Sequence, residues 1–387
     1  MRAILTLNAG SSSLKLGLFS ETLETLGFGH VDRIGGQGAL RVVDGAGQTL
    51  PIPDTRPEDF ETHAKALATA LAAFHAGFPG LEVIAVGHRV VHGGIDHAAP
   101  ERITDDLMAE LAKLAPFAPL HQPHNLAGVR AALDAFPDAP QIACFDTAFH
   151  RNHPFVNDTF ALPRRFYEKG VRRYGFHGLS YDYISGELAT TEPKLHAGRV
   201  VVAHLGSGAS MCGLQGGQSI ASTMGFSALD GLPMGTRSGQ LDPGVLLYLM
   251  DQEGMSSGEI SDLLYKESGL KGMSGLSNDM RELEASDDPH AAEAIDYFTF
   301  RIRRELGALA AALGGLDALV FCGGIGENSA HIRARVCEGM GWIGITLDAG
   351  KNAANARHIS TGPVEVMVIP TNEELVIARA AHAVLSP

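Results

Sequence analysis

Apolar runs that end in small polar turns recur along the chain and predict its first elements. Residues 3–7 (AILTL) have the largely apolar sequence of a buried strand. A turn at 8–13 (NAGSSS) follows, and the alternating residues 14–19 (LKLGLF) predict a second strand. Residues 200–203 (VVVA), the turn 204–208 (HLGSG) and a strand from Ala209 repeat this arrangement. The pattern of strand, small polar turn and strand therefore occurs twice.

Further elements follow from the same periodicities and from capping signals. Ser256 with Glu259, and Thr371 with Glu374, have the spacing of capping boxes that open helices. Strands are predicted near 27–33, 39–44, 81–86, 141–145, 316–321 and 364–369. Helices are predicted at about 57–76, 104–114, 123–136, 256–267, 289–313, from the end of the loop 322–328 to about 339, and from 371 onward, with a short one beginning at 279–281.

The two hairpins indicate two related halves. Glycines allow close approach to a ligand, and hydroxyls and exposed N–H groups suit phosphate oxygens. Two halves that each offer such a hairpin to a shared cleft are the organisation of the actin, sugar-kinase and chaperone ATPase fold. We therefore predict an α/β protein with two actin-like (ribonuclease H-like) domains forming a nucleotide-binding cleft. The topology predicts a domain boundary near residue 148, and the resemblance described below implies domains of 1–148, with the C-terminal helix of about 372–387, and 149–371.

Composition and charge narrow the classes of function. The chain has 387 residues, of which 45% are hydrophobic, and a formal net charge of −14. This charge argues against nucleic acid or an anionic membrane as a partner. The four cysteines are scattered without a CxxC pair, which favours reduced thiols in a cytoplasm over disulfides or a zinc site. No apolar run approaches the length of a membrane span, and the N-terminal strand is too short for a signal peptide.

Charged residues beside the small polar turns are the candidates for chemistry. In so acidic a chain a bound anion needs local positive charge, which singles out Lys15, Arg89 and Arg237. Arg89 follows a predicted buried strand, where open α/β sheets place ligand contacts. Asp146 also follows a strand, where a carboxylate can hold a metal, act as a base, become phosphorylated or cap a helix. His177 lies between an aromatic residue and a glycine, although a lone histidine is more often structural than catalytic.

Three other classes of function share some of these features, whereas the absence of G-x-x-x-x-G-K-[ST] excludes a Walker-type loop. The stretch 324–326 with Asp348 resembles a dinucleotide-binding unit, but its third small residue is off the pattern and no second half follows. Histidine pairs at 88/92, 121/124 and 150/153 resemble a metallohydrolase, but no H-E-x-x-H accompanies them. A non-catalytic ATP-binding regulator of the same fold would not need Arg89, Asp146, His177 and Arg237 together.

Eight motifs, in order along nearly the whole chain, resemble those of the acetate kinase family, which phosphorylates acetate and other short-chain fatty acids. They are LNAGSSSLK at 7–15, GHRVVHGG at 87–94, FDTAFH at 145–150, YGFHGLS at 174–180, HLGSGAS at 204–210, MGTRSG at 234–239, GGIGEN at 323–328 and PTNEE at 370–374.

The resemblance implies an enzyme that transfers a phosphoryl group in line from ATP to acetate, reversibly, giving acetyl phosphate and ADP. Mg²⁺ is the implied ion, with Mn²⁺ as a substitute, and propionate or another short-chain acid is the alternative substrate. By motif, Arg89 and Arg237 would hold the carboxylate and the phosphoryl group. His177 would stabilise charge on the equatorial oxygens, and Asp146 would orient the acid or contact the metal. Positioning and positive charge carry most of the catalysis in such transfers.

The same resemblance implies the binding residues and a homodimer. The metal would be positioned by Asn8 and Glu373. The acyl pocket would contain Val91, Leu120, Phe176 and Ala228, beside Arg89. The nucleotide would contact Lys15, His204, Leu205, Gly206, Ser207, Gly208, Asp279, Met280, Arg281, Gly324, Ile325, Gly326, Glu327 and Asn328. The C-terminal domain would bind nucleotide and form the dimer.

Two positions depart from the family pattern. Ser207 stands where the family usually has asparagine, which affects one hydrogen bond of the nucleotide loop. Ala228 stands where the family usually has proline, at a position associated with the acyl pocket. We therefore expect acetate to be the best substrate and propionate a competent second.

Overall fold

The chain folds into two compact α/β units. The computed structural model describes residues 1–10, 12–119 and 121–385. Unit 1 is Met1–Arg151 with Asn372–Pro387, and unit 2 is Asn152–Thr371. None of the helices in the described ranges is both long enough and apolar enough to cross a membrane.

Unit 1 is built on one mixed β-sheet. Its strands are β1 (Arg2–Ala9), β2 (Ser13–Ser20), β3 (Thr25–Asp32), β4 (Ala39–Asp44), β5 (Glu82–Val90), β6 (Glu101–Arg102) and β7 (Gln141–Phe145). Within the described residues the strand order is β4-β3-β2-β1-β5-β7-β6. Strands β1 to β4 pair antiparallel, and β1, β5 and β7 pair parallel. Every residue of β7 is buried, including the polar Gln141 at its start.

Unit 2 repeats this plan on a smaller sheet. Its strands are β8 (Arg199–Leu205), β9 (Ala209–Gln215), β10 (Gln218–Ser222), β11 (Ala318–Cys322) and β12 (Glu365–Val368). In the described part of the chain their order is β10-β9-β8-β11-β12. Here too an antiparallel meander (β8 to β10) lies beside parallel strands (β8, β11 and β12). The internal repeat seen in the sequence is therefore a repeat of sheet topology.

Helices cover both sheets, and polar caps set where they begin. The side chains of Thr62, Thr104 and Asp288 accept hydrogen bonds from backbone N–H groups of the first turns. The helices are α1 (His63–Gly77), α2 (Asp105–Lys113), α3 (Gln122–Ala135), α4 (Phe155–Asp158), α5 (Arg164–Glu168), α6 (Gly178–Thr191), α7 (Pro193–His196), α8 (Pro243–Asp251), α9 (Ser257–Asp262), α10 (Gly269–Ser274), α11 (Met280–Glu284), α12 (Pro289–Leu313), α13 (Gly323–Asn328), α14 (Ala330–Cys337), α15 (Ala349–Ala353) and α16 (Glu373–Leu385).

Several predicted boundaries are corrected by tertiary contacts. The segment predicted as one helix at 57–76 is a 3₁₀ turn followed by α1, because Thr62 caps a new helix. Strand β5 continues past its predicted end to Val90, so Arg89 lies within the sheet and pairs with Cys144 of β7. The stretch 323–328, predicted as a loop, is helix α13.

The capping box predicted for the last helix is also wrong. The side chain of Asn372, and not that of Thr371, accepts the hydrogen bond from Leu375 N (3.0 Å) at the start of α16. The Thr371 hydroxyl instead accepts a hydrogen bond from Ser180 (2.9 Å). Glu373 and Glu374 occupy the first turn of α16, where negative charge is favourable.

Helix α16 packs directly against the central strands of unit 1. Gly87 of β5 makes this possible, since a Cβ at that position would lie 2.4 Å from Ile377 Cγ2 of α16. The close approach brings the start of α16, with Glu373, beside Arg89 of β5. Gly87 is therefore needed for the position of the charged residues described below.

His88 makes the stability of unit 1 sensitive to acid. Its ring is 2% exposed, and Nε2 lies 2.7 Å from Gln141 Oε1. Burial lowers the pKa of His88 from 6.5 to about 4, with partial opposition from the hydrogen bond with Gln141. The contribution of neutral, buried His88 to the free energy of unfolding is therefore fully present above pH 6.5. It is lost as the pH falls from 6.5 to 4, by up to roughly 3 kcal/mol.

We expect His88→Gln to flatten this acid dependence. Urea unfolding of both proteins at pH 7.5, 5.5 and 4.5 measures it. An equal loss of stability between pH 7.5 and 4.5 in the variant would assign the acid sensitivity to other groups.

Candidate active site

Arg89 is at the centre of a charged cluster in unit 1. Its side chain is 16% exposed, and Nη2 donates a hydrogen bond to Asp146 Oδ2 while Nη1 donates to Asn8 Oδ1 at 3.2 Å. Its Nε lies 3.9 Å from Glu373 Oε2 and makes no hydrogen bond within the described residues. Asn8 lies in β1, Arg89 in β5 and Glu373 in α16, and Asp146 follows β7 directly.

The charges of this cluster do not balance. Burial raises the pKa of Glu373 to about 7; Arg89 opposes the shift, and Asp146 and Glu374 add to it. Burial alone would lower the pKa of Arg89, but Asp146 and Glu373 outweigh it and the pKa is raised. Three carboxyl groups thus face two cationic groups, Arg89 and the more weakly interacting Lys15, so the cluster still favours an additional cation or a proton on Glu373.

Two buried amides of α3 hold the backbone around this cluster. Asn125 Oδ1 accepts a hydrogen bond from Val91 N (2.9 Å), and its Nδ2 donates to Ala9 O (2.6 Å). Gln122 pairs with both backbone groups of His92, accepting from N at 3.2 Å and donating to O at 3.0 Å. Sequence reasoning missed both amides; the only signal was polar residues in a helix that covers a sheet.

In unit 2, His177 has a constrained position at the start of α6. Its φ of 57° lies in the left-handed region, which is uncommon for residues other than glycine. The ring stacks on that of His204, with centroids 4.4 Å apart, and Nδ1 lies 2.8 Å from Ser210 Oγ. A Cβ at Gly208 would lie 3.2 Å from His177 Nε2 and 3.9 Å from Arg237 Nη1. The turn between β8 and β9, His177 and Arg237 therefore converge.

Arg237 lies in a loop that is fixed by backbone contacts. Its Nη1 donates to Ala228 O at 3.2 Å, which places the unusual alanine next to the arginine. Ser268 N donates to Thr236 O at 3.1 Å. Gly269, with φ of 63°, allows the close packing, since a Cβ there would lie 2.1 Å from Met234 O.

A cavity of about 560 Å³ lies beside the turn between β8 and β9 in unit 2. Its lining includes Gly206 and Ser207 of the turn and Gly324 and Ile325 at the start of α13, and small residues beside a helix N-terminus allow phosphate oxygens to approach the backbone closely. The predicted nucleotide residues that line it are Gly206, Ser207, Asp279, Met280, Arg281, Gly324, Ile325 and Asn328. Sequence reasoning missed Asn278, Glu284 and Ser329, which also line it.

Other residues predicted to contact the nucleotide are not among those lining this cavity. His204 stacks on His177, and Leu205 is buried in the core. Gly208 lies beside His177, as described above. Glu327 accepts hydrogen bonds from Gly323 N (2.8 Å) and Thr371 N (3.1 Å), so its carboxylate braces the loop. Lys15 belongs to unit 1, in a cavity of about 330 Å³ with His30, Arg41 and Glu374.

Arg333 of α14 braces α13 from behind the cavity. Its side chain is buried and has no carboxylate partner among the described residues, and burial lowers the pKa of the guanidinium. Nη1 donates to Gly326 O (2.9 Å) and Glu327 O (3.0 Å), and Nε donates to Asn352 Oδ1 (2.8 Å). These contacts satisfy carbonyls at the end of a short helix. An arginine in an amphipathic helix gives no signal of this role in the sequence.

The residues predicted for an acyl pocket divide between the units. Val91 is buried in unit 1, and Phe176 is buried in unit 2. Ala228 is half-buried in unit 2, and Leu120 lies outside the described residues. In the part of the chain that the structure describes, no group of three or more His, Cys, Asp or Glu side chains could by itself hold a metal ion.

Two actin-like sheets, each with a small polar turn beside charged residues, and a cavity suited to a nucleotide define a phosphotransferase that binds ATP. Residues 3–379 match the model of the Acetokinase family. The chain belongs to this family. The predicted kinase family, enzyme class and actin-like fold are thereby confirmed.

Individual relatives agree with this classification. An acetate kinase from Methylocella silvestris is 58% identical, with 99% of this chain and 98% of the relative covered. The crystal structure of Porphyromonas gingivalis acetate kinase has a TM-score of 0.88 and 37% identity, with both chains fully covered. A propionate kinase from Francisella tularensis has a TM-score of 0.90 and 36% identity, covering 99% of this chain and 100% of its own.

Proposed function

We propose that the chain transfers the γ-phosphoryl group of ATP to acetate, reversibly, giving acetyl phosphate and ADP. The observation that carries this proposal is the family match over residues 3–379, with relatives described as acetate kinases at up to 58% identity. The charged cluster around Arg89 supports it, because a guanidinium whose side chain is still 16% exposed can pair with a small carboxylate.

The acid is the nucleophile of the proposed reaction. An oxygen of the ionised acetate attacks the γ-phosphorus, and the bond to the bridging oxygen breaks, so ADP leaves with the electron pair. No proton has to be removed from the acid. Asp146 therefore acts by holding and orienting Arg89, which it contacts directly, and not as a base.

The phosphoryl group carries the negative charge that the site must stabilise. Arg237 and His177 converge on the turn at 206–208 and meet the equatorial oxygens of the group in transit. The nucleotide occupies the cavity lined by that turn, by residues 278–281 and by the start of α13. Ser207, with its short hydroxyl side chain, replaces the usual asparagine of this turn.

The residues present fit a magnesium ion held mainly through water and phosphate. Mg²⁺ prefers oxygen ligands and is commonly bound by one or two protein groups and the phosphates of its substrate. Glu373 and Asn8 supply such oxygens, and the negative excess around Arg89 favours a cation. Magnesium would supply charge neutralisation of the β- and γ-phosphates.

The proposal is tested by acyl phosphate formation with the purified protein. ATP, Mg²⁺ and acids of two to four carbons are supplied, and the product is trapped as hydroxamate; the reverse reaction is followed as ATP formed from acetyl phosphate and ADP. We expect turnover with acetate in both directions. ATP binding without turnover on any of these acids would refute the function and favour a regulator.

Ala228 is expected to widen the choice of acid. Alanine in place of the usual proline ring frees space beside Arg237. The Ala228 N–H donates no hydrogen bond within the described residues, so proline removes none. We expect Ala228→Pro to lower the propionate-to-acetate ratio of kcat/KM by about fourfold, the value of one buried methylene. An unchanged ratio would show that residue 228 does not shape the acyl site.

We propose that the chain forms a homodimer through α8, because this helix exposes apolar side chains. The helix is largely apolar, yet none of its residues is buried in unit 2, and Leu247 is 61% exposed. Light scattering should give the mass of two chains, and Leu247→Glu should give the mass of one. The four cysteines are buried and form no disulfide within the described residues, which supports a reducing compartment such as the cytoplasm.

A further inference from the structure

A chain of buried hydroxyl groups ends on the imidazole of His177. Ser210 Oγ lies 2.8 Å from His177 Nδ1, and Tyr181 OH lies 2.5 Å from Ser210 Oγ. Ser210 and Tyr181 are both fully buried. The opposite ring nitrogen, Nε2, faces Gly208 and the side of Arg237. One edge of the ring is thus held inside the protein, and the other lies beside the proposed phosphoryl site.

We infer that Ser210 and Tyr181 are positioning residues that hold His177 with an Nε2–H bond directed to the transferring phosphoryl group. This inference rests on the proposed function and names how one of its residues is oriented.

The direction of the hydrogen bonds decides what His177 can do. In the inferred network Tyr181 donates to Ser210, and Ser210 in turn donates to Nδ1, so that Nδ1 carries no hydrogen and Nε2 carries one. An Nε2–H group donates to a phosphate oxygen. With the opposite direction, Nε2 of the neutral ring would present a lone pair and repel that oxygen.

Helix α6 and strand β9 hold Tyr181, His177 and Ser210 next to one another. Tyr181 lies one turn after His177 on α6, and its N donates to His177 O at 3.1 Å. Ser210 is on β9, paired in register with His204 of β8, whose ring stacks on His177. His204 is itself held by Ser180 Oγ at 2.8 Å. The ring of His177 is thus contacted by Ser210 at Nδ1 and by His204 on one face.

Removal of one oxygen at a time tests the inference kinetically. Ser210→Ala and Tyr181→Phe should lower kcat about five- to tenfold, the value of one hydrogen bond in a buried site. The KM values for acetate and ATP should stay within about twofold, since the bond acts in the transition state. Ser185→Ala is the matched control: it also removes a largely buried hydroxyl of this region, bonded to Gly217 O at 2.7 Å, and should leave kcat unchanged.

A double-mutant cycle separates positioning from general structure. In a His177→Gln protein, Ser210→Ala should cause no further loss of kcat, because the ring it holds is gone. The same loss with and without His177 would overturn the inference.

The tautomer of His177 gives a readout that needs no turnover. ¹⁵N spectra of protein with labelled histidine rings, with the signal assigned through His177→Gln, should show the Nε2–H form in the parent protein. Ser210→Ala should give a mixture of tautomers. An Nδ1–H form in the parent protein would overturn the inference. Absence of acetate kinase activity in the parent protein would instead refute the proposed function, while the spectra would still decide the hydrogen-bond direction.

Discussion

Replacing Arg89 with alanine lowers kcat/KM for acetate and also destabilises unit 1. Loss of a buried charge that meets the substrate carboxylate raises the free energy of the transition state by roughly 3 kcal/mol or more. This lowers the rate about a hundredfold or more. The second effect follows from Asp146, which is fully buried and pairs with Arg89. A buried carboxylate left without its guanidinium costs about 3–5 kcal/mol of stability.

A second substitution separates the two effects of Arg89. Asp146→Asn in the Arg89→Ala protein neutralises the buried carboxylate, so part of the lost stability should return in urea unfolding. Activity should not return, because the group that binds the acid is still missing. If activity and stability recovered together, Arg89 would act only through the fold.

The position of Arg89 shows why the sequence pattern predicted strand β5 incompletely. Residues 81–86 are largely apolar, but Gly87, His88 and Arg89 are not, so periodicity ends the strand early. In the structure these residues continue the sheet, because His88 pairs with Gln141 and Gly87 packs under Ile377. Both partners are distant in sequence. A local pattern of apolar positions therefore cannot predict contacts with these partners.

Small polar turns were easier to predict than the residues that support them. The turns at 8–13 and 204–208 were predicted because they follow apolar strands and have the glycine and hydroxyl content that turns need. Their predicted starts are two residues early, since β1 continues to Ala9 and β8 continues to Leu205. Asn125, Ser210 and Arg333 support those turns and α13, but each is a polar residue in an ordinary helix or strand. Only the fold decides that such a side chain faces inward, where it must find hydrogen-bond partners.

Replacing Arg237 with alanine should lower kcat about a hundredfold or more, again by roughly 3 kcal/mol of transition-state stabilisation. Its effect on stability should be small, in contrast to Arg89. The Arg237 side chain is half-buried in a loop, and its Nη1 donates to a neutral backbone carbonyl, that of Ala228. Loss of such a hydrogen bond costs about 1 kcal/mol.

Two further variants identify what Arg237 contributes. Arg237→Lys keeps the charge but loses the planar donor pair, so it should recover only part of the lost kcat. Arg357→Ala is the control, since Arg357 is another partly exposed arginine of unit 2 and pairs with Glu187 at 3.1 Å. Steady-state kinetics should show normal kcat for Arg357→Ala and a large loss for Arg237→Ala at equal stability. Near-normal turnover of Arg237→Ala would remove this residue from the reaction, because the charge on the phosphoryl group would then be met by other groups.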